Sequence, residues 1–237
     1  MLIPEEVNEM FRVLPAALAI TAALSGCGGA VSSPSPPAAV RPAGGPVEQG
    51  RIGGWHGGEA VLYATVGFFS PSPEIVAVGT VSADGSFSVT YPAGLPPDVL
   101  SKPGDQCSTI QATDPTASTA FTANDLIFQH GTLVGATHSG TSPGVAAFTS
   151  IADGDTRTGY VFADRDTTTS GYCERQVSFG GHAVGFRQNL DLRLHRGWNV
   201  VVAEFSTPQP GEVVSDLKVG SNRSSERFFL FPAGVQH

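Results

Sequence analysis

Apolar and polar side chains alternate most regularly between Phe186 and Leu194. Every second residue there is apolar, with Gln188 as the one exception, and charged or amide side chains fill the positions between. A period of two predicts a β-strand with one buried and one solvated face. His195-Arg196-Gly197 interrupts the pattern, and the apolar stretch Trp198–Ala203 follows. A short loop ending in glycine between two such segments predicts a β-hairpin.

Short segments of the same kind recur along the chain. Glu74–Val81 and Ser86–Tyr91 flank Ala83-Asp84-Gly85, a strong turn signal, and are expected to pair. A third hairpin is expected where Leu126–Gln129 turns through His130-Gly131 into Thr132–Ala136. Further candidate strands are Ala60–Val66, Val145–Ile151, Tyr160–Ala163, Gln176–Phe179 and Phe228–Phe231. The nearest approach to a helical stripe, Thr119–Gln129, is interrupted by polar residues. The pattern predicts an all-β fold, an antiparallel β-sandwich of immunoglobulin-like or transthyretin-like architecture.

A glycine-bearing turn run supports the same fold class. Gly79–Phe87 reads GTVSADGSF within the segment Ala60–Tyr91. This segment resembles the opening of bacterial surface domains of transthyretin-like or carboxypeptidase-regulatory type. The resemblance implies a β-sandwich fold.

Composition excludes one large class of partner. The chain has 237 residues, of which 41% are apolar, 14% are charged, 29 are glycine and 18 are proline, with a net charge of −8. The apolar content can fill a core. No stretch is basic enough to neutralise several phosphates, so nucleic acid is not an expected partner.

The amino-terminal segment has the pattern of a secretory signal. The apolar run Val13–Leu24 follows Arg12 and precedes small residues. Its 12 residues are fewer than the about 20 that a membrane-spanning helix needs. A positive residue, a short apolar run and a small-residue cleavage site are typical of a cleaved signal peptide. Acidic residues near the start do not fit this pattern, and a natural start at Met10 instead of Met1 would remove them.

A cysteine follows this run directly. The tetrapeptide Leu24-Ser25-Gly26-Cys27 resembles the lipobox of bacterial lipoproteins. The resemblance implies that a diacylglycerol is attached to the Cys27 thiol and that Cys27 becomes the first residue of a mature chain carrying two or three acyl chains, such as palmitate. Two or more acyl chains hold a protein stably on a bilayer. The alternative is a free thiol at Cys27 behind an ordinary secretory signal.

The expected organisation has three parts. Residues 1–26 form a signal peptide, residues 27–50 a lipidated cysteine with a disordered tether rich in proline, glycine and serine, and residues 51–237 the β-sandwich. Residues 101–119 contain few apolar side chains, and a division into two smaller β domains would fall there. The lipid would anchor the protein outside the cytoplasm, on the cell membrane or the outer membrane.

The remaining two cysteines predict a disulfide. Cys107 and Cys173 form an even pair in a chain that carries an export signal. Their bond would close a loop of 66 residues and stabilise the fold by roughly 4 kcal/mol in the chain-entropy model. A metal pair and two free thiols are the alternatives.

Three patterns in the sequence could indicate a catalytic or metal site. Gly140–Gly144 matches GxSxG, but Pro143 follows the serine and supplies no amide for an oxyanion hole. Two aspartate pairs, Asp153 with Asp155 and Asp164 with Asp166, bracket one strand and could share calcium, although turn formation explains them more simply. The histidines show no zinc spacing. No enzyme activity, metal or cofactor is expected.

Exposed aromatic side chains offer one further function. Trp55 precedes a glycine-rich loop and is the expected platform for a sugar ring, whereas Trp198 lies among valines and is expected in the core. The favoured function is a lipid-anchored envelope module that binds or supports without catalysis, with the lipid bilayer as partner and envelope polysaccharide or protein as further candidates. The alternatives are a carbohydrate-binding or peptidoglycan-binding surface module and an extracytoplasmic hydrolase.

Overall fold

The computed structural model describes residues 43–67, 74–105, 107–122, 125–140, 153–179, 182–209, 211–220 and 226–230. Within these ranges the chain forms fourteen β-strands and one short 3-10 helix, Pro97–Val99. The all-β prediction is confirmed. The interrupted stripe Thr119–Gln129 is not a helix, because it contains two short strands instead.

The strands, numbered in chain order, belong to two sheets. The first, called the curled sheet, contains β1 Ala43–Gly53, β2 Ala60–Val66, β3 Glu74–Val81, β4 Ser86–Pro92, β7 Asp125–Gln129, β8 Thr132–Gly140 and β14 Glu226–Leu230. The second sheet contains β5 Gln111–Ala112, β6 Thr119–Phe121, β9 Thr156–Ala163, β10 Thr167–Phe179, β11 His182–Leu194, β12 Gly197–Ser206 and β13 Glu212–Val219.

The curled sheet has the spatial order β14-β1-β4-β3-β2-β7-β8, and β8 also pairs with β14. The sheet therefore closes on itself. The second sheet runs β9-β12-β13-β11-β10-β5, with β6 on β9. Two pairings, β1 with β14 and β11 with β13, are parallel and the other pairings are antiparallel. Two residues of β8 pair with β9 and connect the sheets.

Two of the three predicted hairpins form. β3 pairs with β4 through the turn at Asp84, whose carboxylate accepts hydrogen bonds from the Ser86 amide and hydroxyl. β7 pairs with β8 through a turn in which His130 has a φ of 49°. Local turn chemistry was sufficient to predict both pairings.

The third hairpin, between β11 and β12, is wrong. β13 lies between them, parallel to β11 and antiparallel to β12. The Asn199 side chain accepts a hydrogen bond from the His195 amide and donates to the His195 and Gly197 carbonyls. This side chain satisfies loop groups that a hairpin would pair through the backbone, so β12 leaves β11 and pairs with β9 and β13.

The segment that separates Cys27 from the folded body is shorter than predicted, because the folded body begins before residue 51. β1 starts at Ala43 and pairs with β4 and β14. Its glycines permit this: a Cβ on Gly45 would lie 2.4 Å from the Pro92 carbonyl oxygen. A segment with the composition of a linker is therefore a strand that is paired on both sides.

Each sheet has its own buried cluster, and aromatic rings join the two. The interior of the curled sheet is built from residues such as Leu62, Val89 and Ile127, and the second sheet buries residues such as Leu192 and Leu217. Tyr91 of β4 lies 5.0 Å from the Tyr160 ring and 4.9 Å from the Trp198 ring. These contacts pack one sheet against the other, consistent with the predicted β-sandwich.

The predicted disulfide is confirmed. Cys107 and Cys173 are bonded, with their Cα atoms 5.5 Å apart. Cys173 is buried on β10, so the bond fastens the long connection between β4 and β6 to the second sheet. None of the described residues belongs to a helix of the length and apolar character that crossing a bilayer requires.

Candidate functional site

The structure leaves two sequence motifs outside the described residues. Leu24-Ser25-Gly26-Cys27 and the serine of Gly140–Gly144 both lie there. The lipidation site therefore stays a prediction from the sequence.

Trp55 is not the exposed platform that the sequence suggested. Only 7% of the residue is exposed, and its indole N–H donates a 2.8 Å hydrogen bond to the Gly58 carbonyl. The glycine-rich loop folds back over the ring, and a Cβ on Gly57 would lie 2.8 Å from it. Glycine at position 57 gives the indole room, so the loop that suggested exposure is the loop that covers Trp55.

Trp198 lies at the junction of the sheets. Its indole N–H donates to the Pro92 carbonyl at 2.8 Å, and its ring is half-buried against Tyr91, Tyr160 and Phe162. The expectation that Trp198 packs in the core is confirmed, although the core it serves is the contact between two sheets.

The aspartates around β9 cannot share one ion. The two pairs lie at opposite ends of an eight-residue strand, which separates them by about 26 Å. Asp153 accepts a hydrogen bond from the Thr207 amide, Asp164 from the Ser118 amide and Asp166 from the Arg196 amide. Each of these amides lies at least 30 residues away in the sequence, so the three carboxylates join separate segments of the chain instead of shaping their own turns. Across the described ranges, no group of three or more His, Cys, Asp or Glu side chains could hold a metal ion.

A polar surface on the second sheet was not anticipated. The registers of β10, β11, β13 and β12 place Tyr172, Asn189, Asp216 and Glu204 in one row across the outer face. Glu174 and Arg187 form the neighbouring row. We call this set the polar face. Its residues come from four strands that follow one another in the chain but pair in a different order, and only the alternation in β11 gave a local signal for them.

Arg187 organises the polar face. Its guanidinium carbon lies 4.4 Å from the centre of the Tyr172 ring, and Nη1 lies 3.2 Å from the Glu174 carboxylate. Nε donates to the Asn189 side-chain oxygen at 3.0 Å, and Asn189 donates to Asp216 at 2.8 Å. Because Arg187 and Glu174 remain about half exposed, their ion pair contributes little to stability. The guanidinium and the carboxylate of this pair therefore remain accessible to a ligand.

An open depression adjoins the polar face. Its volume is about 680 Å³, within the range of small-molecule sites. The charged and amide residues that line it are Glu174, Arg175, Gln176, Arg187 and Glu212. Burial lowers the pKa of the Arg175 guanidinium, which stays protonated at neutral pH. The depression thus offers donors and acceptors side by side, as a ligand rich in hydroxyl groups requires.

A second cavity lies behind the disulfide. Ser101, Thr169, Cys173 and Gln188 are among the residues that line its about 50 Å³. Thr169 Oγ1 is buried and has no hydrogen-bond partner among the described residues. The volume is that of one or two water molecules, so this cavity is too small for an organic ligand.

No protein-family model, curated protein or solved structure matches the chain. Function is therefore inferred from the residues and their geometry alone.

Proposed function

We propose that this chain is a bacterial envelope lipoprotein that displays a non-catalytic β-sandwich binding module. The observation that carries the proposal is that the apolar run Val13–Leu24 leads directly into the lipobox-like motif that ends at Cys27. The disulfide supports it, because such bonds persist in oxidising compartments. The chain has three cysteines, and two of them bond to each other, which leaves Cys27 as the unpaired thiol.

The anchor and the body fit together physically. Each buried methylene of an acyl chain contributes about 0.8 kcal/mol, so two or three chains hold the protein on the bilayer. Fifteen residues, 28–42, separate Cys27 from the first residue of β1. As a flexible coil they span about 21 Å. The sandwich therefore stays close to the membrane that holds it.

Mass spectrometry of the amino-terminal peptide tests the proposal. In a bacterial host with lipoprotein processing, we expect the peptide to begin at Cys27 and to carry the mass of a diacylglycerol. A Cys27→Ala variant should keep its leader and lack the added mass. A double variant, Cys107→Ala with Cys173→Ala, should still be acylated. An unmodified Cys27, or a mature chain that begins elsewhere, would contradict the proposal.

A second candidate function, glycan binding, follows from the polar face. The observation that favours glycan binding is the open depression, whose lining places Arg175 and Arg187 beside Glu174 and Glu212. Envelope polysaccharide and peptidoglycan offer hydroxyl and charged groups to such a site. Co-sedimentation with purified peptidoglycan tests this function. We expect Arg187→Ala to lower the pelleted fraction and Arg193→Ala, an exposed arginine further along β11, to leave it unchanged. Equal binding by both variants would exclude the polar face.

A further inference from the structure

The outer surface of the curled sheet carries adjoining apolar side chains. Three of them are strongly exposed: Val61 at 37%, Val78 at 47% and Leu133 at 39%. Tyr63, Leu126 and Phe128 lie among them and are half-buried. We call these six residues the apolar face. They alternate with inward-facing residues such as Leu62 and Ile127, which fill the core.

Strand registers make these side chains immediate neighbours. Val61 lies opposite Phe128, and Tyr63 lies opposite both Leu126 and Val78. Phe128 in turn lies opposite Leu133. The Tyr63 and Phe128 rings meet edge to face, with centroids 5.2 Å apart. Contiguous apolar surface of this kind marks an interaction site more often than isolated exposed residues do.

The charge around the apolar face limits what can cover it. No lysine or arginine occurs between Ile52 and Ser101, the stretch that contains β2, β3 and β4, and none occurs in β7 or β8. The acidic residues of β3 and β7 are Glu74, at the first position of its strand, and Asp125, which is buried. The apolar face therefore offers no cations to an anionic partner. It fits an apolar surface that needs no charge complement.

The start of the folded body lies on the same sheet. Val47 of β1 is 57% exposed and lies opposite the exposed Thr90 of β4. In the order β1-β4-β3-β2-β7, four strand spacings separate β1 from β7, about 19 Å. Fifteen residues separate Cys27 from β1, and a flexible coil of this length spans about 21 Å, which is enough to bring the acyl chains alongside the apolar face.

We propose that the apolar face rests on the lipid bilayer in which the acyl chains of Cys27 are inserted. The inference depends on the proposed function, since the lipid at Cys27 brings the face to the membrane. Tyr63 supplies an amphipathic ring of the type that is enriched at membrane interfaces. The membrane is thus a contact surface of the sandwich as well as the place where its anchor is held.

The test uses a chemical anchor, so that its outcome does not depend on cellular acylation. The chain from Cys27 onward is coupled through that thiol to a maleimide lipid in phosphatidylcholine vesicles with brominated acyl chains. Cys107 and Cys173 are bonded and do not react. Two matched variants, Val78→Trp on the apolar face and Val219→Trp on the second sheet, replace valines of 47% and 42% exposure. Tryptophan fluorescence is measured for each variant against the unsubstituted chain, in which Trp55 is buried and Trp198 half-buried.

We expect bromine to quench the added Val78→Trp fluorescence and to shift it to the blue, and to leave Val219→Trp unchanged. Equal quenching of both variants, or of neither, would overturn the proposal. A blue shift of Val78→Trp that grows with protein density and occurs without quenching would identify a second copy of the chain as the occupant and would also overturn it. If coupled protein shows the expected quenching while cellular protein lacks a lipid, the proposed function fails and the surface assignment stands.

Discussion

Removing the disulfide should cost the fold several kcal/mol of stability. The bond joins Cys107, in the connection between β4 and β6, to Cys173 on β10, across 66 residues. In the chain-entropy model a closed loop of this length lowers the entropy of the unfolded chain by roughly 15 cal/mol/K, which is about 4 kcal/mol at room temperature. The perturbation is Cys107→Ala, which leaves the buried Cys173 side chain in place and so avoids a cavity on β10.

Chemical unfolding measures this cost. All variants carry Cys27→Ala, so that no free thiol can exchange with Cys173. We expect Cys107→Ala to lower the free energy of unfolding by about 4 kcal/mol and the Tm by roughly 8–16 °C for a body of this size. Ser108→Ala, an exposed neighbour in the same connection, is the control and should change neither. A loss of less than about 1 kcal/mol would refute the entropic reasoning, since it would mean that the reduced chain is already restricted when unfolded.

Two further predictions concern the junction of the sheets and a surface turn. Trp198→Phe removes the hydrogen bond to the Pro92 carbonyl and should cost about 2 kcal/mol in urea unfolding, whereas Tyr172→Phe on the exposed polar face should be nearly neutral; equal losses would contradict the role of the junction. Hydrogen bonds from the Thr116 hydroxyl and amide lower the pKa of Asp114 from its ordinary value of 3.8, so its stabilising effect is complete above that value and is lost as pH falls through the folded pKa. Asp114→Asn should therefore show a smaller decrease in Tm between pH 5 and pH 2 than the parent, and parallel curves would contradict this.

The sequence was sufficient to predict β11 as a strand but not to identify the strands that pair with it. Alternation placed Gln188 on the inner face with the leucines, and only 6% of that residue is exposed. The same periodicity runs through Val213, Ser215 and Leu217 of β13, but the serine at an inward position weakens the signal, and this strand was missed. Without β13 the pairing of β11 with β12 was the nearest choice. Strand order depends on contacts between distant segments, which periodicity does not encode.

The candidate site was hidden for the same reason. Tyr172, Arg187 and Asp216 become neighbours only once β10, β11 and β13 lie side by side. Trp55 shows the converse problem, because a glycine-rich flank can expose an indole or allow the chain to fold over it. Composition cannot separate these outcomes. The predicted disulfide succeeded because an even pair of cysteines constrains the bond without knowledge of the fold.

The two sheets differ most in the charge of their outer side chains, which contribute little to either core. Seven of the thirteen lysine and arginine residues lie between Arg157 and Lys218, which spans most of the second sheet, and none lies between Ile52 and Ser101. Both sheets bury apolar side chains on their inner faces, so the contrast lies in side chains that contribute little to either core. Solvent exposure alone would favour polar outer positions on both sheets. Strands β2, β3, β4, β7 and β8 of the curled sheet carry no cation, whereas the second sheet has a charged, hydrogen-bonded face. We expect this contrast of a body held between a lipid surface and an aqueous, polysaccharide-containing space.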